Sequence, residues 1–411
     1  MTDPAGAQGI AVLILADDLS GATEVAAVIA PPGSARAEIV LTPAVPGPAA
    51  PVAAIDLDSR QLAPAAAADA MRAALRLPVA RSATLVFAKV DSLLRGNLAA
   101  TVAAVRESGR PTVLATALPA QHRSVRDGVL HLAGEPLHHT TAWAAEGAAP
   151  PRSVAAALAP VPVAVVPLTV IRGPALAAAL AELLAGGAVP ACDAETDRDL
   201  DAIVAAARTI PGVRLAGAGG LAAALGRALR LPPDGAESGE RADAVLTVVG
   251  TAAPVAREQV RRLAAAGATR VRVPVTGLLE GRVDLGDLGA GSTVLTLESS
   301  ADPVPADAPR IARSLATAVA GAVRSSPLRV DLVLTGGETA RRILDALGIV
   351  QLTPTEVVHH GAVACRADDG RTVVTRPGSF GGPDSLVRIV QALLPECLFP
   401  TVQPTKGIRH V

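Results

Sequence analysis

One unit repeats along this chain: a short apolar run that ends in polar or glycine-rich residues, then an Ala/Leu segment with helical spacing. In the first 120 residues the runs are IAVLILADD, PVAAIDLDSR, ATLVFAKVDS and PTVLATALP, and Ala65–Leu77 and Leu98–Glu107 supply crossover helices. Near-continuous apolar character belongs to parallel strands covered on both faces, because a strand with one wet face alternates instead. Parallel strands need helical crossovers. The pattern therefore predicts an α/β, doubly wound fold with functional residues at the carboxyl ends of its strands.

A further strand and helix are expected in VPVAVVPLTVI and GPALAAALAELLAGG. The acidic run Asp193 to Asp201 reads as a helix start, since carboxylates in a first turn complement the helix dipole. Leu231 to Asp243, polar and rich in Pro and Gly, reads as a linker. Beyond it the rhythm restarts with AVLTVVGTAAP, STVLTLESS, LRVDLVLTGGE and RTVVTRPGS. The expected architecture is two doubly wound domains with mostly parallel sheets, residues 1–232 and 243–395, a substrate cleft between them, and a tail over 396–411.

Composition narrows the function. The net charge is −1, and the only aromatics are Phe87, Phe380, Phe399 and Trp143. A nucleic-acid protein needs a basic face and commonly stacking rings, so that class is excluded. Ser153 to Ile171 is uncharged and nominally long enough to span a bilayer, but Pro160, Pro162 and Pro167 break it, and a short helix, a turn and a strand fit better. Cys192, Cys365 and Cys397 are odd in number and far apart, which reads as reduced thiols of a cytoplasmic protein. Lys89 and Lys406 are the only lysines among many arginines. A lysine that survives such drift marks a place where chemistry or packing asked for one, and Lys89 is the first place to look, for a role at the site or a structural ion pair with Asp91.

The candidate site lies at successive strand ends. The first ends in Asp17-Asp18, carboxylates suited to a general base or to hydrogen bonding a polyol, although Asp18 or Ser20 also fits as a helix N-cap. The second leads to Arg60, the third to Lys89, Asp91 and Arg95, and the fourth to Gln121 and Arg123. Cations there suit an anionic substrate, arginine offering bidentate recognition of a carboxylate. The second half carries glycine loops instead: Gly250-Thr251, Gly336-Gly337-Glu338-Thr339 and Gly378-Ser379-Phe380-Gly381. Glycine admits close backbone approach, and helix N-termini offer free N–H groups, so these loops point to nucleotide phosphates. No Walker or protein-kinase motif is present, and no histidine spacing suits a metal. Gly217-Ala-Gly219-Gly220 resembles a dinucleotide fingerprint but lies late in its domain, and it reads as close helix–strand packing.

Taken in order, ADDLSGATEVA, KVDSLLRGN, ALPAQHRSVRDGV, DAETDRDLDAI, LAGAGGLAAAL, LTGGETARRILDALG and RPGSFGGPDSLV resemble the four-carbon acid sugar kinase family, from about Ile10 to Leu394. The resemblance implies an N-terminal domain that binds the sugar acid and a C-terminal domain that binds ATP with Mg2+. The implied reaction moves the γ-phosphoryl group to the terminal hydroxyl of threonate, erythronate or 3-oxo-tetronate. It implies that Asp17, Asp18, Arg60, Lys89, Asp91 and Arg95 hold the acid sugar, with Asp17 or Asp18 as base, and that the glycine loops hold ATP. Thr251-Ala-Ala-Pro254 stands where the family usually carries Ser-x-Ser-Pro, and His122 where glycine is common. The rival readings are an NAD(P)-dependent sugar-acid dehydrogenase and a non-catalytic binding protein. The oligomeric state stays open, a homodimer among the options.

Overall fold

Parallel pairing, expected from the unbroken apolar runs, organises the computed structural model, which describes residues 11–32, 36–41, 50–144, 146–232, 241–251, 254–298, 307–378 and 380–395. Most of the expected linker, the tail beyond residue 395, and Ser379 of the last glycine loop lie outside these residues. The chain divides into two units: Met1–Glu237 with Ile349–Val357 and Cys365–Asp368, and Ser238–Gly348 with Val358–Ala364 and Asp369–Val411. The two short segments of the first unit fall inside the range 243–395 that the sequence assigns to the second domain. Strand pairing explains part of this: Gln351 and Leu352 pair antiparallel with Val40 and Ile39, a partnership far from local in sequence.

The strands of the first unit are β1 (Val12–Ala16), β2 (Ala37–Val40), β3 (Val52–Asp56), β4 (Leu85–Lys89), β5 (Thr112–Ala115), β6 (Arg123–Arg126), β7 (Val129–Leu132), β8 (Glu135–Pro136), β9 (Val163–Val166), β10 (Val189–Cys192) and β11 (Arg214–Gly217). Its main sheet runs β2-β3-β1-β4-β11-β5-β10-β9, all parallel, and β6, β7 and β8 form a separate antiparallel meander. Registers align the carboxyl ends: Ala16 sits opposite Asp56 and Lys89, and Gly217 opposite Lys89 and Ala115. The chain leaves β1 toward β2 and β3 on one side and reaches β4 on the other, so the order reverses between β1 and β4. Ligands of open α/β sheets bind at such a point.

The local chemistry explains the helices. Asp18 caps helix Leu19–Ile29 by accepting the Gly21 N–H at 2.9 Å, the alternative noted from sequence. Helix Pro64–Arg76 starts on a proline at its first position, where no N–H is needed. The acidic run starts its helix later than expected, at Asp197, because Thr196 and Asp199 form a capping box. Asp193 stays outside, accepting the N–H groups of Asp127 (2.7 Å) and Gly128 (2.9 Å). The strand expected in VPVAVVPLTVI stops at Val166, and Leu168–Ile171 forms a short helix after Pro167. The Gly217–Gly220 stretch packs helix Gly219–Leu229 onto the sheet, since a Cβ on Gly220 would lie 2.5 Å from the Ala117 carbonyl oxygen.

The second unit repeats the plan with β12 (Ala244–Val249), β13 (Thr269–Pro274), β14 (Gly291–Glu298), β15 (Val330–Thr335), β16 (Gln351–His359), β17 (Ala362–Ala367) and β18 (Thr372–Arg376), the strands at residues 351–367 contributing to both units. Its parallel order is β13-β14-β12-β15-β18. Val249 sits opposite Thr335, and Thr335 opposite Arg376, so the three glycine loops leave from neighbouring strand ends. Helix Ala308–Ser325 buries Ala312, Leu315, Ala316, Val319 and Val323, the stripe that a 3.6-residue period predicts.

Candidate active site

The loop after β1 and the loop after β3 are tied together by backbone, the Ser59 and Arg60 N–H groups donating to the Asp17 carbonyl at 2.9 and 3.1 Å. Arg60 then closes on both carboxylates. Its Nε and Nη2 donate to Asp17 Oδ2 and Oδ1, each at 2.9 Å, and its Nη1 donates to Asp18 Oδ2 at 2.9 Å. Asn97 holds this loop from the far side, donating to the Ser59, Arg60 and Leu62 carbonyls. After β4, Arg95 grips Asp91 through both oxygens (3.0 and 2.8 Å), and Asp91 also lies 3.8 Å from Arg60. Asp58 and Leu94, in these two loops, hold left-handed φ angles of 48° and 61°, the kind of strain that gathers at functional sites.

The electrostatics separate the acids. Burial raises the Asp17 carboxyl above the usual carboxylate range, and Asp18 adds to the rise while Arg60 and Lys89 oppose it. Burial also works against ionised Asp91, but Arg95 and Arg60 overcome it and hold that carboxyl well below its ordinary value. Burial disfavours the charged Arg60 guanidinium, and Asp17, Asp18 and Asp91 together outweigh it and keep Arg60 protonated. Lys89, 5% exposed, reaches over the first turn of the capped helix, where a Cβ on Gly21 would lie 3.0 Å from its Nζ. Its ammonium has no hydrogen-bond or ion-pair partner among the described residues. A buried cation in that state has donors available for a ligand.

The structure thus brings Asp17, Asp18, Arg60, Lys89, Asp91 and Arg95 together. Lys89 and Asp91 do not share a strand face, because β4 ends at Lys89. Arg123 joins from the start of β6, donating to the Ser92 hydroxyl and sensing the charges of Asp91, Arg95 and Glu24. Gln121 ends a 3-10 turn (Pro119–Gln121), and no described side-chain contact links it to the cluster. Sequence reasoning placed Gly21 and Asn97 in these loops without a role, and gave none to Trp143, whose indole N–H donates to the Leu93 carbonyl at 2.8 Å. The one available signal for Trp143 was its being the only tryptophan in the chain.

In the second unit, Gly250 packs under Thr339: a Cβ there would lie 2.1 Å from Thr339 Oγ1. A Cβ on Gly378 would likewise meet Thr251 at 2.8 Å, so the three loops touch. Gly336 takes φ 98°, and Gly337 opens helix Gly337–Leu347 with Glu338 in its first turn. The loop after β18 is pinned from within. Gln259 donates to the carbonyls of Phe380, Gly381 and Gly382 at 3.2, 3.1 and 3.0 Å, and its Oε1 accepts from Arg376 at 2.7 Å. Arg376, fully buried, donates as well to the Phe380 carbonyl, and burial pulls its guanidinium down to about 10. The Phe380 ring is buried and stacks on His360 at 5.8 Å. Gln259 and Arg376 were not among the expected binding residues, because their partners lie more than a hundred residues away or in backbone. No group of three His, Cys, Asp or Glu among the described residues forms a metal site.

Comparison with known proteins agrees with this division. A sugar-binding N-terminal domain model matches residues 12–225, and a nucleotide-binding C-terminal domain model matches residues 246–386. The D-threonate kinase of Cupriavidus necator is 32% identical over 417 residues, covering 93% of this chain and 97% of its own. The chain belongs to the four-carbon acid sugar kinase family. As a member it is a sugar-acid kinase, with one sugar-binding and one nucleotide-binding domain. The D-threonate kinase of Salmonella typhimurium is 28% identical over 422 residues, covering 91% of this family member and 96% of itself. A solved structure from Salmonella typhimurium LT2, 20% identical, superposes with a TM-score of 0.75 over 93% of this chain and 99% of its own, which shows the shared fold. The glycine stretch that a dehydrogenase would need for its dinucleotide is taken up by packing in this kinase. No helix among its described residues is long and apolar enough to cross a membrane.

Proposed function

We propose that the protein phosphorylates the terminal C4 hydroxyl of a four-carbon sugar acid with ATP, D-threonate first, with erythronate and 3-oxo-tetronate as the further candidates. The observation that carries this reading is the buried Lys89 ammonium, without a partner among the described residues, beside a carboxylate raised by burial, at the switch point of the sugar-binding domain. Lys89, with Arg95 and Arg123, binds the substrate's carboxylate and hydroxyls. Asp17 is the base: it accepts the hydroxyl proton as the new O–P bond forms and the bond from the γ-phosphorus to the bridging oxygen breaks, releasing ADP. Arg60, whose donors are taken by Asp17 and Asp18, is a positioning residue rather than a direct ligand. Asp18 caps the helix that carries Gly21.

Phosphoryl transfer asks mainly for positioning and charge neutralisation. Thr251, Gly336, Gly337, Thr339, Gly378 and Gly381 would cradle the phosphates, with Phe380 anchoring its loop. Mg2+ fits a site with few carboxylates of its own, since it commonly takes one or two together with substrate phosphates. Glu338 is the carboxylate these loops offer, and the bound ion would neutralise phosphate charge. The buried, unpaired thiols of Cys192 and Cys365 favour a cytoplasmic location. The test is ADP release by the purified protein over D- and L-threonate, D- and L-erythronate and their 3-oxo forms. Turnover with at least one supports the reading, and none across the panel overturns it.

A further inference from the structure

Across the sheet from the acid cluster, where β4, β5 and β11 begin, the first unit holds a cavity of about 650 Å³. Five arginines line it, Arg72, Arg76, Arg81, Arg110 and Arg214, against one carboxylate, Glu107. That carboxylate is already occupied, both oxygens accepting from Arg72 at 2.7 and 3.3 Å, and Arg72 also reaches Asp69 at 2.8 Å. The other four arginines have no carboxylate partner among the described residues.

Arg76, Arg81 and Arg110 are exposed, and exposed guanidinium groups are satisfied by water. Arg214 is different. It is the first residue of β11, only 9% exposed, and its one described side-chain bond goes to the Ser108 hydroxyl. Arg110 adds a like charge on the same wall, its terminal nitrogen 2.6 Å from where a Cβ on Gly212 would stand. Burial, with Arg110 behind it, pulls the Arg214 guanidinium below its ordinary range. A half-desolvated cation facing a second cation is unfavourable unless an anion completes the set.

We propose that this cavity binds a compact polyanion carrying phosphate groups, or phosphate with carboxylate, at a site separate from the sugar-acid and nucleotide sites. The guanidinium forks match both groups bidentately. The volume lies within the range of small-molecule pockets, and it suits a phosphorylated metabolite. The lining comes from the end of helix Pro64–Arg76, helix Pro78–Ser82, the turn before β5 and the start of β11, so it is built on regular structure.

Titration calorimetry at low salt tests this, with full-length protein first saturated with a non-hydrolysable ATP analogue so that nucleotide loops are filled. Pyrophosphate and 2-phosphoglycolate are the probes, the second reporting whether a carboxylate adds affinity. One probe molecule should bind per chain, and the Arg81→Ala/Arg110→Ala protein should bind it at least tenfold more weakly while keeping its kinase activity within twofold. Arg214→Ala should abolish binding; should that variant not fold, the exposed double variant still decides. Absence of binding to the wild-type protein, or equal binding by wild type and double variant, would overturn the proposal.

Discussion

Replacing Asp17 by Asn tests the proposed base apart from the residues that support it. Asparagine keeps the volume and one acceptor oxygen and loses the charge, so Arg60 keeps Asp18 at 2.9 Å and one bond to position 17, and gives up the other of its two 2.9 Å bonds there. A hydrogen bond to a charged group contributes about 1.5–3 kcal/mol net. The burial that raises the Asp17 carboxyl means that its ionised form is held at a cost, which the neutral side chain escapes. The two effects oppose each other, so the melting temperature should fall by less than the roughly 3–12 °C that one lost bond alone implies at about 2–4 °C per kcal/mol for a domain of this size. Catalysis has no such compensation. Loss of a general base costs about 100- to 10,000-fold in kcat, or roughly 3–5 kcal/mol of barrier.

The assay is ADP release at saturating ATP and sugar acid, from acid to mildly alkaline pH, beside Asp18→Asn. Asparagine caps a helix as well as aspartate does, so Asp18→Asn should lose far less turnover. The sign of the pH dependence follows from the raised carboxyl. The base works ionised, so wild-type kcat should fall as pH drops through a value above the ordinary 3.8, and Asp17→Asn should lack that acid limb. Turnover of Asp17→Asn within threefold of wild type, or a larger loss in Asp18→Asn, would refute Asp17 as the base.

Lys89→Met should raise KM for the sugar acid at least tenfold without lowering thermal stability, since it removes a buried cation that has no described partner; steady-state kinetics and a melting curve check both arms. Gly250→Val places atoms within 2.1 Å of Thr339 Oγ1 and should raise KM for ATP while leaving that for the sugar acid within twofold, read from the two saturation curves. Gln259→Leu strips the donor from three carbonyls and the acceptor from Arg376, and should destabilise the second unit by about 1–3 kcal/mol, measured by urea unfolding.

Much of the fold follows from local rules. Unbroken apolar runs gave away β1, β3, β4 and β5, because a strand covered on both faces needs no polar alternation. The runs' polar ends placed Asp17, Lys89 and the glycine loops at the carboxyl edge of their sheets, where the chain leaves the core, and the registers agree. β2 escaped notice: its four residues, AEIV, include a glutamate that the fold nevertheless buries. The antiparallel partner of β2, at Gln351 and Leu352, could not be read locally either.

Lys89 shows where the division falls. Its survival as one of two lysines singled it out from the sequence alone, for chemistry or for packing. The same residue types at neighbouring strand ends were equally visible, and all of them looked free to meet a substrate. Only the tertiary structure decided how far each is: Arg60 is spent on Asp17 and Asp18, Arg95 gives Nε and Nη2 to Asp91 and keeps Nη1, and Lys89 keeps all its donors. The physical reason is that a charge's availability depends on the partners that folding brings within about 3 Å, and those partners come from loops some forty residues apart.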